Sequence, residues 1–397
     1  MNRILLISEH FEPSDGATAQ LMTDLAVGLH RKGWQITVLT ATPGGNLDFP
    51  VVRLNRSRGL SGVSPGMISK ALCGIGFLLG SLLWCLRRGR HGDGVVIVSN
   101  PPFIGLLGPM LQLCRGLPYV FIFQDLFPRS AVLSGVLPAA GPLAVLWQGL
   151  MAQVCSRSRQ TVVLSQAMEA RLRRDLGQRL PLTVIHNWAV ERGAPIERAK
   201  SEFAAEHGYS DRFSIQYSGN FGRLHDLVTL LEAARLLQNQ TIQFVFIGGG
   251  AKKSQIEAYR NNFGLGNILQ LPYQPRRRLP ESLAACDIAA IGLIPGAEDT
   301  VAPCKFYGIL ASGKPVLLIA RRSCDLAQLV LNAGCGLVVE PGETAELADQ
   351  LLKLSRQPDR VRAMGELSLA LYQRKFGLER SLERYEAVLQ LMLQPAP

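Results

Sequence analysis

The stretch FSIQYSGNFGRLHDL, residues 213–227, decides the fold. Its first half is an apolar run that reads as a strand, and it passes directly into a segment patterned like a helix. At the junction stand Gly219, Asn220, Gly222, Arg223 and His225, although a purely structural turn needs only one or two residues of that kind. In an open parallel sheet, ligands bind beyond the carboxyl ends of the strands, so a strand-to-helix loop this well equipped is a candidate binding loop.

Working outward, the same alternation repeats. Downstream, IQFVFIGGG (242–250), NILQLPY (267–273), DIAAIGLI (287–294), KPVLLIA (314–320) and CGLVVEPG (335–342) are five further strand candidates, each followed by helical sequence. Upstream, NRILLISEHFEPSDG contains a strand over 4–8, a loop with Pro13 and Gly16, and an amphipathic helix over 18–31 that stops at Gly33. WQITVLTA follows, then GVVIVSN (94–100), PYVFIFQD (118–125), TVVLS (161–165) and VIHNWAV (184–190). Strands alternating with helices imply doubly wound parallel sheets, so the fold class is α/β with two Rossmann-like domains.

Length agrees, since 397 residues are too many for one ordinary core. The polar run ERGAPIERAKSEFAAEHG carries little apolar periodicity and reads as a linker. The expected division is an N-terminal domain over 1–190, a linker over 191–211, a C-terminal domain over 212–375, and a C-terminal helix over 376–397 packing back on the first domain.

Charge is unevenly spread. Residues 1–195 hold 19 Lys+Arg against 10 Asp+Glu, whereas the rest hold 23 against 21, so most of the net +11 lies in the first half. That asymmetry suggests an anionic partner, either nucleic acid or the negatively charged leaflet of a membrane. The eight cysteines form no CxxC pair and no His cluster at metal-ligand spacing, and they read as free thiols in a reducing compartment. The apolar run at 4–7 is far shorter than a secretory core, so the expected location is the cytoplasm.

One segment stands apart. ALCGIGFLLGSLLWCL (71–86) has no charge and is flanked by Lys70 and by Arg87, Arg88 and Arg90. Its sixteen residues fall short of the ~20 that span a bilayer and are too apolar all round for an ordinary surface helix. A core helix and an interfacial membrane contact both fit.

The loops after the strands carry the candidate chemistry. Neither Glu12 to Gly16 nor GGGAKK (248–253) has the glycine pattern of a dinucleotide fold or the GK[ST] of a P-loop, which disfavours redox cofactors and nucleotide hydrolysis. GGGAKK does offer a close-approach turn, free amides and two ammonium groups, a combination suited to a diphosphate; a tight turn with solvated lysines is the plainer alternative. In VAPCKFYGILASGKPV, Pro303 suits the first turn of a helix running to Ser312, with amides near Ala302 to Lys305 facing a ligand and Lys305 adding charge. Gln124 and Asp125 end a strand, where an Asp is as often a helix cap as a catalytic group.

Taken in order, HFEPSDGATAQ, VSNPPF, QDLFP, VIHNW, YSGNFGRLHDL, FIGGGAKK, LPYQ and VAPCKFYGILASGKPV make the chain resemble GT-B-type glycosyltransferases of family 4, and among them bacterial enzymes of exopolysaccharide, capsule and colanic-acid assembly. That resemblance implies two domains facing across a cleft, a nucleotide-diphosphate sugar (UDP- or GDP-linked) as donor, no metal, and retention of configuration. It further implies that Arg223, Lys252 and Lys305 neutralise the diphosphate and that Tyr273 and Gln274 lie near the base. The amides at Ala302 and Pro303, with Gly219, Asn220, His225 and Gly249, complete the donor site. Asp125, Arg223 and Lys305 are the expected catalytic residues, and Gly16 lets the first loop approach closely.

The pattern also departs from the family. Many members have two glutamates eight positions apart where this chain has Thr300 and Gly308, with Glu298 close by; Cys304 stands in place of a common serine, and His225 where relatives often carry lysine. Under the resemblance the expected partners are a nucleotide sugar, a polyprenyl-diphosphate-linked acceptor and an anionic membrane surface, with no nucleic acid. The expected location is peripheral on the inner face of the cytoplasmic membrane. The rival readings are a nucleotide-sugar epimerase of related architecture and a non-catalytic binding protein on a degenerate transferase fold.

Overall fold

Short runs of Val, Ile, Leu and Phe, buried on both faces, build two parallel sheets in the computed structural model of the chain. It describes residues 3–394 apart from positions 15, 46, 55–66, 140 and 191–194 and the side chains at 67, 68 and 70. The first four residues of the predicted linker therefore lie outside the described residues. The chain divides into two units.

Unit 1 comprises Met1–Val190, Thr300–Ala302 and Leu378–Pro397. In chain order it contains β1 (Arg3–Ile7), α1 (Ala17–Arg31), β2 (Gln35–Thr40), β3 (Val51–Arg53), α2 (Met67–Arg88), β4 (Gly94–Val98), α3 (Leu107–Arg115), β5 (Tyr119–Ile122), α4 (Arg129–Leu133), α5 (Pro142–Arg157), β6 (Gln160–Val163), α6 (Gln166–Leu176) and β7 (Leu182–Val184). Its seven strands run in the order β3-β2-β1-β4-β5-β6-β7, so the winding reverses between β1 and β4. Leu5, Val95, Ile97, Tyr119 and Phe121 meet residues of α2, α3 and α5, such as Phe77, Leu111 and Met151, in one core.

Unit 2 comprises Glu191–Asp299 and Pro303–Gly377. It contains α7 (Phe203–Glu206), β8 (Phe213–Asn220), α8 (Val228–Leu236), β9 (Ile242–Gly249), α9 (Lys253–Phe263), β10 (Ile268–Leu271), α10 (Leu279–Ala284), β11 (Ile288–Gly292), α11 (Lys305–Ala311), β12 (Val316–Ile319), α12 (Asp325–Ala333), β13 (Gly336–Val339), α13 (Thr344–Leu354) and α14 (Pro358–Lys375). The six strands run β10-β9-β8-β11-β12-β13 and reverse between β8 and β11. The last helix, α15 (Leu378–Leu393), belongs to unit 1, where it packs on α1; Lys32 pairs with Glu386 at 2.9 Å, and the Trp34 indole donates to the same carboxylate.

Three boundaries differ from the sequence reading. β3 is a three-residue edge strand, too short to show periodicity. VIHNWAV is not a strand: pairing ends at Val184, and the segment is held by side chains instead, with His186 Nδ1 2.9 Å from the Leu164 carbonyl and the Trp188 indole donating to Asp24 at 3.1 Å. Finally, the stretch read as linker buries Phe203, Ala204 and Tyr209 against Val245, Ile247 and Ala285 of unit 2.

Candidate functional site

In unit 2 the switch point lies between β8 and β11, which brings the loop after β8 beside the segment that leads into α11. Tyr217 and Lys305 meet there. The Lys305 ammonium sits 3.6 Å from the centroid of the Tyr217 ring, and a Cβ added at Gly219 would come within 3.7 Å of its Nζ. That nitrogen is buried and, among the described residues, has no hydrogen-bond partner. The ring face attracts the cation but does not replace water, so burial lowers the lysine to about 7 from its ordinary 10.5.

His225 is held beneath the same loop. Its Nδ1 lies 2.7 Å from the Tyr217 hydroxyl, 2.8 Å from the Asn220 carbonyl and 3.2 Å from the Gly222 amide. Burial first, and then the charge of Lys305, push its pKa down to about 3, so the ring is neutral at physiological pH. His225 is thus an uncharged link that ties strand to loop.

The triple glycine is explained by packing. Gly248 and Gly250 both have φ of +137°, and an added Cβ would fall 2.0 Å from the Gly219 carbonyl oxygen and 2.4 Å from Asn220 Oδ1 respectively. The β8 and β9 loops therefore interlock backbone to backbone. Gly249 holds Tyr273, whose hydroxyl donates to the Gly249 carbonyl at 3.1 Å although the side chain is 59% exposed. Lys252 does not begin α9 as a free solvated lysine: its Nζ donates to the His225 carbonyl at 2.5 Å, and it too acts on the imidazole. Arg223 is exposed and, among the described residues, has no ion pair or hydrogen bond from its guanidinium. Gln274 donates to the neighbouring Pro272 carbonyl at 3.1 Å.

The α11 segment differs from expectation. The helix starts at Lys305, with Cys304 as its cap residue, so Pro303 precedes it rather than filling its first turn; the Pro303 carbonyl accepts from Phe306 N at 2.9 Å, a tight opening turn. Ala302 and Pro303 fall in different units, Ala302 packing on the core of unit 1. Glu298 is no free carboxylate. It is 5% exposed, pairs with Arg321 at 3.1 Å, and accepts from the Gly296 and Arg321 amides, which staples the loop.

In unit 1, Asp125 follows β5 and pairs in a short antiparallel bridge with Val301. It caps no helix, because α4 begins after Pro128, and burial raises its carboxyl to about 6. Leu126 N donates to the Thr300 carbonyl and Arg129 Nε to its hydroxyl, each at 3.0 Å, so Thr300 is a structural tie. Buried Gln124 leaves its Nε2 without a partner among the described residues. Gly16 is an exposed cap residue of α1 in extended conformation, with nothing closer than 3.8 Å to an added Cβ.

The structure thus gathers Gly219, Asn220, His225, Gly249, Lys252, Tyr273 and Lys305 into one cluster with Arg223 on its rim, and keeps Asp125, Gly16 and Ala302 in unit 1. Tyr217, whose ring lies under Lys305, is the member of this cluster that sequence reasoning missed, since a strand tyrosine gives no signal that separates a platform from core.

Comparison with known proteins identifies what each half of the chain is similar to. The family described as Glycosyltransferase Family 4 matches residues 18–189, and that described as Glycosyl transferases group 1 matches residues 199–368. The chain is similar to WbjE of Pseudomonas aeruginosa, named as a glycosyltransferase, at 25% identity over 99% of both chains. It is also similar to WcaI of Escherichia coli K12, named as a colanic acid biosynthesis glycosyl transferase, at 34% identity over 32% of this chain and 31% of that one. Among solved structures, Anabaena HepE in complex with UDP-glucose superposes with a TM-score of 0.72 at 14% identity, covering 98% of this chain and 99% of that chain.

Proposed function

The chain belongs to the GT-B glycosyltransferases of family 4, and from that premise we propose that it moves a sugar from a UDP- or GDP-linked donor to a lipid-linked saccharide acceptor in the synthesis of a cell-surface polysaccharide. One observation carries the donor half of this reading: Lys305 is a buried amine with no hydrogen-bond partner among the described residues, beside the switch point, with Arg223 on the loop after β8 and Lys252 on the loop after β9. A buried cation without an anion is unfavourable until a ligand supplies one, and a diphosphate fits that requirement. The UDP-glucose bound by HepE and the colanic acid named for WcaI support the same donor and pathway class.

In this proposal the leaving diphosphate is stabilised by the three cations, the largest electrostatic contribution to the barrier, and no metal is required. The neutral His225 and the Gly219 loop fix Lys305 and Lys252 in place. The leaving phosphate takes the proton of the acceptor hydroxyl on the same face of the sugar, so configuration is retained without a protein nucleophile. Asp125 is the candidate polar group of unit 1.

Nucleotide release from a panel of UDP- and GDP-sugars, with and without a polyprenyl-diphosphate-linked acceptor, tests the reading. Release that depends on both substrates is expected. Nucleotide-sugar binding without turnover would favour a binding protein, and sugar interconversion without release would favour an epimerase.

A further inference from the structure

Among the described residues, three helices of unit 1 leave a large apolar surface uncovered. On α2 an inner stripe of Phe77, Ser81 and Cys85 is buried in the core, while the outer stripe of Leu72, Ile75, Leu79 and Leu83 is 62%, 44%, 56% and 48% exposed. Its neighbour α3 shows Leu113 at 82% exposure, and beyond it α5 shows Leu146 at 62%. α2 packs on α3, and α3 on α5, so the exposed leucines share one side of the sheet. Patches of this kind on a soluble chain mark an interaction site.

Charge selects the occupant. α2, α3 and α5 contain no Asp or Glu, and four of their basic residues, Arg87, Arg88, Arg115 and Arg157, stand in the last turns. An apolar strip edged by cations alone complements an anionic lipid surface, where leucines enter the acyl boundary and arginines meet headgroups. A second copy of the chain would instead set the same cations against each other. The stretch Ala71–Arg88 is long and apolar enough to cross a bilayer, yet its inner stripe belongs to the core of unit 1, so crossing would strip that core.

We propose that the α2–α3–α5 face of unit 1 is a docking surface for an anionic bilayer, on which α2 lies flat instead of spanning. This rests on the lipid-linked acceptor reading above and deepens it. Near its start α2 approaches the end of β4: an added Cβ at Gly74 would come within 3.0 Å of Pro101. The surface therefore reaches the carboxyl edge of the sheet, the edge at which β5 delivers Asp125, and a lipid diphosphate at the bilayer surface is presented to that edge.

The test is sedimentation of the full chain with vesicles of phosphatidylcholine alone and with added phosphatidylglycerol, beside a measurement of UDP binding in the absence of lipid. Wild type is expected to partition strongly only onto the anionic vesicles. Leu79→Glu with Leu113→Glu should reduce that partitioning at least tenfold, and Arg87→Gln with Arg88→Gln should reduce it about fivefold for each arginine. Both variants should keep UDP affinity and circular dichroism, because every substituted side chain is exposed. Wild type that ignores anionic vesicles, leucine variants that sediment like wild type, or a dimer that these substitutions dissociate without altering sedimentation would each overturn the proposal. Failure of the transferase reading would appear separately, as vesicle binding that persists without nucleotide binding.

Discussion

If Lys305 receives the donor diphosphate, nucleotide binding must take up a proton. In the free protein the lysine is held at about 7 by burial, so about half the molecules carry the charge at pH 7 and about 1% at pH 9. A bound diphosphate supplies the missing partner and returns the pKa toward its ordinary range. Proton linkage then multiplies the dissociation constant by a factor that grows from about 2 at pH 7 to about 100 at pH 9, a roughly 50-fold loss of affinity. His225 adds nothing to this slope, because at about 3 it is neutral throughout. Isothermal titration of UDP at pH 7, 8 and 9, in buffers of differing ionisation enthalpy, reads both the affinity and the proton; about 0.9 proton should be absorbed at pH 8. Lys305→Met should bind more weakly at pH 7 and lose the slope. An affinity that stays flat from pH 7 to 9, or a methionine variant that keeps the slope, refutes the reasoning. The same lysine affects the apo fold in a defined direction: the destabilisation is fully present below about pH 7 and is relieved as pH rises toward its unfolded value of 10.5.

Other residues give sharper separations of structure from function. Arg223→Ala should leave thermal stability within about 0.5 kcal/mol, because the side chain is exposed and makes no ion pair among the described residues, while turnover falls at least tenfold. Gly248→Ala should cost about 3 kcal/mol or more in a denaturant titration, since a Cβ would sit 2.0 Å from the Gly219 carbonyl oxygen at a φ of +137°. Glu298→Gln should cost about 2–3 kcal/mol by removing the charge that Arg321 and two backbone amides address, with Tm as the readout. With Asp125 raised to about 6, a reaction that needs its carboxylate should gain rate as pH rises through 6, and Asp125→Asn should abolish that limb of the kcat/KM profile.

Much of the fold was legible because burial on both faces turns a strand into an unbroken apolar run. All six strands of unit 2 were found on that basis, from FSIQYSGN to CGLVVEPG. The failures share a cause. β3 is too short to have a period, and VIHNWAV is apolar because its side chains are buried by packing and hydrogen bonds other than strand pairing. The exposed stripe of α2 was written in the sequence as sixteen uncharged residues, but which of them face the core depends on α3, a neighbour distant in the chain.

Local spacing by itself determined the parallel α/β architecture and singled out the loops after the strands as candidates for ligand chemistry. Tertiary structure alone decided the state of the groups in those loops. Lys305 is short of a proton partner, His225 is neutral and Glu298 is spent on Arg321 because residues far apart in the chain remove water from them and bring charges beside them. Protonation answers to that surrounding dielectric and those neighbours, and neither can be read from residue order.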